Sequence, residues 1–182
     1  GWKWRPGSQR SGLIQVAISN RLTADEINYI LEDSGAKMVI GSRQMLPVFD
    51  QLRDMNPEVE QLLFGVEDER NIEAALETMP ETPIADQRAG VDMLYSSGTT
   101  GRPKGIRLPL PEAEDIAGPN ALAALAQMIF GFHKDCVYLS PAPLYHAAPL
   151  RWNIAVHALG GTSVIMEKFD PEQALQLIEK YR

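Results

Sequence analysis

Short apolar runs alternate with helical patterns along this chain of 182 residues, and no other feature restricts the fold as strongly. Apolar runs of strand length occur at residues 13–18, 37–40, 61–64, 91–95, 137–140 and 162–166. Several of the stretches between them carry apolar residues at spacings of three and four, as helices with one packed face do. This alternation predicts an α/β fold with a largely parallel sheet and flanking helices.

The helix boundaries are marked by residues suited to the ends of helices. Thr23 and Glu26 form the pattern of a capping box, and Ile27 and Ile30 lie on one face of the helix that follows. Gly35 is suited to end this helix because glycine adopts the left-handed conformation without strain. Further helices are predicted from Pro47, after Asn71, at residues 121–130, at residues 148–159 and from Pro171 onward.

The strand at residues 91–95 leads into a segment rich in glycine and hydroxyl side chains, after which residues 105–108 are predicted to return as the second strand of a hairpin. Backbone N–H groups, hydroxyls and an ammonium in such a loop can bind polyphosphate, and glycine lets the phosphate approach closely. The composition alone would also fit a surface loop. The order of the residues favours a phosphate site, with candidate residues Ser96, Ser97, Gly98, Thr99, Thr100, Gly101 and Lys104.

Two common nucleotide-binding motifs are excluded for this segment. A Walker A loop requires G-x-x-x-x-G-K followed by Ser or Thr, but Pro103 stands five positions after Gly98, and Gly105 follows Lys104. The chain also lacks the G-x-G-x-x-G pattern of dinucleotide-binding folds. If the segment binds phosphate, it therefore belongs to another class of phosphate loop.

The order S-S-G-T-T-G-R-P-K-G at residues 96–105 resembles the phosphate-binding signature of the adenylate-forming superfamily. That superfamily includes acyl-CoA synthetases, luciferases and the adenylation domains of peptide synthetases. The segments at residues 20–37, 138–150 and 160–172 resemble it as well, most closely its fatty-acyl-CoA synthetase branch. The resemblance implies that residues 8–182 form an incomplete N-terminal domain of such an enzyme, and that residues 1–7 are an irregular or non-native end.

The resemblance also implies roles for two groups of residues. The hydroxyls of the segment would donate hydrogen bonds to the phosphates of ATP, and Lys104 would place a positive charge near the β- or γ-phosphate. Tyr145 and His146 would line the entrance of the acyl pocket. For His146, simple packing at the start of a helix is an alternative that stays open. No residue is assigned a catalytic role or a role as metal ligand.

The activity implied by the resemblance is ATP-dependent activation of a carboxylic acid, expected to be a fatty acid. The acid and ATP would form an acyl-adenylate, and coenzyme A would then displace AMP. Mg²⁺ is expected with ATP, and its ligands would lie mostly beyond residue 182, so the isolated chain is expected to be inactive. A non-catalytic module that binds a nucleotide or phosphate, and a structural remnant without ligand, are the alternatives.

Charge and cysteine content restrict the partners and the compartment. The net charge of −7 argues against nucleic acid as a partner. Cys136 is the only cysteine, so no intramolecular disulfide can form, and a reducing, cytoplasmic location is expected. No apolar run reaches the roughly 18 residues of a membrane span. Glu112, Glu114 and Asp115 could in principle bind magnesium, but acids in a proline-rich stretch are usually solvated.

Overall fold

The computed structural model of the protein describes residues 10–96, 102–111 and 121–181. The chain divides into two compact units, Gly1–Ile116 and Ala117–Arg182, each with its own strands and helices. The expected irregular end at residues 1–7 lies outside the described residues.

Strands and helices alternate through the first unit, as the apolar pattern predicts. A mostly exposed connection at residues 79–90 precedes the strand that leads to the glycine–hydroxyl segment. The elements are β1 (Ile14–Val16), α1 (Ala24–Ser34), β2 (Met38–Ser42), α2 (Leu46–Met55), β3 (Glu60–Phe64), α3 (Ile72–Glu77), β4 (Val91–Ser96) and β5 (Lys104–Arg107).

The strands of the first unit form two small sheets. β1 pairs in parallel with β4, and β4 pairs antiparallel with β5, which gives the order β1-β4-β5. β2 and β3 form a separate parallel pair. The antiparallel pairing of β4 with β5 confirms the predicted hairpin, although β5 begins at Lys104, one residue earlier than the pattern indicated.

Helix α1 begins and ends at the residues that the sequence indicated. The Thr23 hydroxyl accepts a hydrogen bond from the Glu26 N–H, and the Glu26 carboxylate accepts one from the Thr23 N–H at 2.8 Å. This capping box satisfies N–H groups that the helix itself leaves free, and the bond from the Thr23 backbone lowers the pKa of Glu26. Gly35 ends the helix with φ 65°.

The core of the first unit lies between α1, α2 and the β2–β3 pair. Ile27 of α1 and Phe49 of α2 are almost fully buried, and Leu63 of β3 is 0% exposed. Gly41 of β2 allows this close packing, because a Cβ atom there would lie 2.6 Å from the ring of Phe49. The predicted apolar faces therefore meet in one core.

The second unit contains a strand–helix–strand arrangement. One helix precedes this arrangement in the sequence and another follows it. β6 and β7 are parallel and are joined through α5, whose residues Ala155 and Val156 are fully buried. α6 begins at Pro171, and Asp170 accepts a hydrogen bond from the Gln173 N–H in its first turn. The elements are α4 (Ala121–Phe130), β6 (Val137–Ser140), α5 (Ala147–Ala158), β7 (Thr162–Ile165) and α6 (Pro171–Tyr181).

The α/β class predicted from the sequence is confirmed, and most strand pairings are parallel. In the described residues the strands are divided among three small sheets. There, β2 pairs only with β3, and β6 pairs only with β7. Within residues 10–96, 102–111 and 121–181, no helix has the length and apolar character needed to cross a membrane.

Candidate functional site

The β4–β5 hairpin places the two described ends of the predicted phosphate site next to each other. Ser96, the last residue of β4, lies directly opposite Lys104, the first residue of β5. Opposite residues of an antiparallel pair share one face of the sheet. Both side chains are exposed, so a hydroxyl and an ammonium are presented to solvent at the base of the segment that joins the strands.

Tyr95 and Gly105 form the next pair of the hairpin and lie on its other face. A Cβ atom at residue 105 would lie 2.9 Å from Cζ of Tyr95 and would also meet the end of the Met93 side chain. Glycine is therefore needed at residue 105 for the Tyr95 ring to lie across the neighbouring strand.

The Tyr95 ring reaches helix α1. Its hydroxyl donates a hydrogen bond of 2.6 Å to the carboxylate of Asp33. Burial of the ring and this bond to Asp33 raise the pKa of Tyr95, so the hydroxyl keeps its proton at neutral pH. The chain is thus attached to α1 two residues before Ser97, the first site residue that lies outside the described part of the chain.

Helix α1 also contacts the chain after the segment. The hydroxyl of Tyr29, one helical turn before Asp33, donates a hydrogen bond of 3.1 Å to the carbonyl oxygen of Pro103. Cζ of Arg102 lies 5.0 Å from the centroid of the Tyr29 ring, which is within the range of a cation–π contact. Arg102 is exposed, and its guanidinium has this ring as a partner.

The structure describes only part of the predicted phosphate site. Ser96 and Lys104 are brought together as a cross-strand pair. The other five residues of that site lie outside the described part of the chain, namely Ser97, Gly98, Thr99, Thr100 and Gly101. Their role in binding ATP stays a prediction from the sequence.

Tyr145 and His146 lie in the second unit, just before α5. His146 is the N-terminal capping residue of α5, although its side chain makes no capping hydrogen bond, and it is exposed. Its ring centroid lies 4.4 Å from that of Tyr145, with the rings tilted by 47°. The two rings therefore form one half-exposed aromatic surface, and their proposed place at the acyl entrance stays a prediction.

A buried polar pair fixes the chain on both sides of Tyr145 and His146. Asn153 of α5 donates hydrogen bonds to the hydroxyl of Ser140 at 2.8 Å and to the carbonyl oxygen of Pro149 at 2.7 Å. Asn153 and Ser140 are both 0% exposed, so these bonds form away from water, where they are worth more. The pair joins the end of β6 to the first turn of α5.

No contact was predicted from the sequence for Tyr29 and Asp33 at the hairpin or for Asn153 in the second unit. The spacing of four between Tyr29 and Asp33 was visible, and it puts both on one face of a helix. Asn153 was visible as a polar residue between the apolar Trp152 and Ile154. These signals indicate unusual positions, but they do not say which distant residue each side chain contacts.

No metal site is found in the parts of the chain that the structure describes. Those parts contain no group of three or more His, Cys, Asp or Glu side chains that could hold an ion. Glu112, Glu114 and Asp115 lie outside them. Cys136 is partly buried, in line with a small packing residue. The described residues therefore do not fit a resident Mg²⁺ site.

The chain is similar to proteins of a known family. A family model described as "AMP-binding enzyme" matches residues 6–182. The long-chain-fatty-acid–CoA ligase FadD13 of Mycobacterium tuberculosis is 30% identical over 179 residues, covering 97% of this chain and 34% of that protein. The 4-hydroxybenzoate–CoA/benzoate–CoA ligase of Rhodopseudomonas palustris is 31% identical over 166 residues, covering 87% and 30%. The chain thus spans about one third of the length of these relatives.

Solved structures share the fold. The inhibitor-bound N-terminal domain of FACL13 from Mycobacterium tuberculosis has a TM-score of 0.72 and 28% identity, covering 93% of this chain and 42% of that one. ATP-bound MatB from Rhodopseudomonas palustris also has a TM-score of 0.72, at 23% identity, covering 94% of this chain and 34% of that one. The expected likeness to part of an N-terminal α/β domain is confirmed.

Proposed function

The chain belongs to the AMP-binding enzyme family, whose members use ATP, and from this we propose that it is part of an ATP-dependent acid–thiol ligase. The enzyme would activate a carboxylic acid and transfer its acyl group to coenzyme A. The observation that carries the proposal is the pairing of Ser96 with Lys104 at the base of the hairpin that contains the glycine–hydroxyl segment. This pairing supports a phosphate site, since it puts a hydroxyl and a positive charge together at the start and end of that segment.

The proposed reaction has two steps. A carboxylate oxygen of the acid bonds to the α-phosphorus of ATP, and the bond from that phosphorus to the oxygen bridging to the β-phosphate breaks, which releases pyrophosphate. The sulfur of coenzyme A then bonds to the acyl carbon, AMP leaves, and the thiol proton passes to solvent. Lys104 and the hydroxyl donors would stabilise the charge on the departing pyrophosphate.

The acid is a fatty acid in our proposal. This part is supported by the resemblance of residues 138–171 to fatty-acyl-CoA synthetases and by the relative that acts on long-chain fatty acids. An aromatic acid is the alternative, because a benzoate–CoA ligase is similar at comparable identity. Rates of acid-dependent pyrophosphate release with dodecanoate and with benzoate, measured on protein from the complete reading frame, decide between the two.

The alternative to a ligase is a non-catalytic module that binds a nucleotide. The reading frame after the codon for Arg182 separates the two functions. A continuing family sequence supports the ligase, and a stop codon together with stable MgATP binding supports the module.

Replacing Lys104 with alanine is expected to weaken MgATP binding by protein from the complete reading frame about tenfold, or ~1.4 kcal/mol. The reason is the loss of the positive charge that the β4–β5 pairing puts opposite Ser96 at the base of the segment. Isothermal titration calorimetry at fixed salt measures the effect. Lys37→Ala is the matched control, since Lys37 is an exposed lysine of the same unit outside the hairpin. Equal affinities of the two variants would contradict the proposed role of Lys104.

The 182-residue chain by itself is expected to form no acyl-adenylate above background. It spans about one third of the length of its relatives, so most of the surface that would bind the adenine and the acid is expected to lie in the remainder. The measurement is acid-dependent exchange of labelled pyrophosphate into ATP. Exchange by the purified chain would show that these 182 residues already contain the catalytic groups.

A further inference from the structure

Two side chains on one face of α1 contact the chain on both sides of the glycine–hydroxyl segment. Tyr29 and Asp33 are four residues apart, so they lie one above the other along the helix. Asp33 contacts Tyr95, and Tyr29 contacts Arg102 and Pro103. These five residues are described by the structure and lie in the first unit.

The contact before the segment is a short hydrogen bond between Tyr95 and Asp33. A hydrogen bond of 2.6 Å from a hydroxyl to a carboxylate has the length of a charge-assisted bond, which is stronger than a bond between neutral groups. It joins residues 62 positions apart in the chain. The Tyr95 ring is partly buried, and Gly105 leaves room for it on the opposite strand. Tyr95 is therefore fixed by both its hydroxyl and its ring.

The contact after the segment uses the backbone as well as a side chain. Pro103 has no N–H, so its carbonyl is its only backbone hydrogen-bonding group, and Tyr29 donates to that carbonyl. The Tyr29 ring also lies beside the Arg102 guanidinium. One tyrosine thus holds two consecutive residues immediately before Lys104.

Holding both ends of a glycine-rich segment on one helix has a consequence for ligand binding. Ordering the backbone when a ligand binds costs conformational entropy at each residue that becomes fixed. Contacts that fix the ends of the segment in the free protein lower this cost and favour the bound arrangement.

We propose that Tyr29 and Asp33 are positioning residues for the phosphate-binding segment, which they hold through Arg102 and Pro103 on one side and through Tyr95 on the other. The inference rests on the proposed function, because it assigns phosphates of ATP to that segment. Neither residue touches ATP in this arrangement. They increase the affinity for the β- and γ-phosphates, which AMP lacks, so ATP binding depends on them more than AMP binding does.

Variants made in protein from the complete reading frame test this inference. Tyr29→Leu removes the hydroxyl and the ring, Tyr29→Phe removes only the hydroxyl, and Asp33→Ala removes the acceptor of the Tyr95 bond. Glu32→Ala is the matched control, since Glu32 is an exposed acid next to Asp33 that accepts a hydrogen bond from the side chain of Asn28 on the same helix. Thermal unfolding identifies variants that do not fold, and Tyr29→Phe keeps the packing if Tyr29→Leu loses it.

Two quantities are measured on each folded variant. Hydrogen–deuterium exchange is followed over the peptide of residues 96–107, and dissociation constants are determined for MgATP and for AMP. We expect faster exchange and MgATP affinity weakened about threefold to tenfold in Tyr29→Leu and Asp33→Ala, with a smaller change for AMP. Tyr29→Phe is expected to be intermediate, and Glu32→Ala to match the unsubstituted chain.

The outcomes separate this inference from the proposed function. Unchanged exchange in Tyr29→Leu and Asp33→Ala, or equal weakening of MgATP and AMP, overturns the positioning role. If the unsubstituted protein from the complete reading frame binds no MgATP, the assignment of ATP to it fails. Exchange then still decides whether the two residues hold the segment, because faster exchange supports that role and unchanged exchange overturns it.

Discussion

Leu63→Ala is expected to lower the free energy of unfolding by about 2–5 kcal/mol. Leu63 is 0% exposed in β3, and its side chain packs in the core with Phe49 and Leu52 of α2. Alanine would lose the transfer free energy of the missing carbons and would leave a cavity against these residues. A small domain is typically stable by about 5–15 kcal/mol, so this one change removes a large share of that stability.

The matched control for Leu63→Ala is Leu76→Ala in α3. Leu76 is 43% exposed, so the same substitution there removes little buried area, and alanine suits a helix well. Urea unfolding followed by circular dichroism measures both variants, with the slope of the transition checked for a change in the denatured state. A loss below about 1 kcal/mol for Leu63→Ala would show that the core described here is not tightly packed.

The start and the end of α1 could be predicted from the sequence because both depend on interactions within a few residues. Thr23 and Glu26 satisfy N–H groups within three residues, and Gly35 adopts its left-handed conformation with no distant partner. Tyr29 and Asp33 lie on the same helix, yet their partners are 74 and 62 residues away. Local rules fix where this helix begins and ends, whereas its contacts with the hairpin depend on how the unit folds as a whole.

The direction of most strand pairings could be predicted from the sequence, but the identity of the paired strands could not. The alternation of strands and helices predicts parallel pairs, and β2–β3 and β6–β7 are parallel. The pattern does not specify which strands become neighbours, because the strands of a parallel sheet have similar apolar sequences. The division of the described strands into three sheets was therefore not visible in the sequence.

The apolar pattern of α6 shows another limit of prediction from periodicity. Its spacing predicts a buried face, but no residue of α6 is buried, and Leu175 and Ile178 are 69% and 55% exposed. In α4, Met128 is 79% exposed. Periodicity indicates that a face is suited to packing, but the described residues do not supply the surface that would cover these side chains.

Gly105→Val is expected to destabilise the first unit by about 1–3 kcal/mol, although valine is favoured in strands. The gain from strand propensity is at most about 1 kcal/mol. A Cβ atom at residue 105 would lie 2.9 Å from Cζ and 3.1 Å from the hydroxyl oxygen of Tyr95, and this ring is held by Asp33. The ring must tilt to make room, and the bond to Asp33 is lost, so the steric effect outweighs the propensity.

A double-mutant cycle shows whether Gly105→Val acts through the bond between Tyr95 and Asp33. Asp33→Ala already removes that bond, so adding Gly105→Val to it should cost less than Gly105→Val costs alone. Ile106→Ala is the control in the same strand, because Ile106 is 60% exposed and tolerates truncation. Urea unfolding gives the four free energies of the cycle. Strictly additive losses would show that Gly105 and Asp33 affect the hairpin independently, and a more stable Gly105→Val would show that Tyr95 does not lie across Gly105 as described.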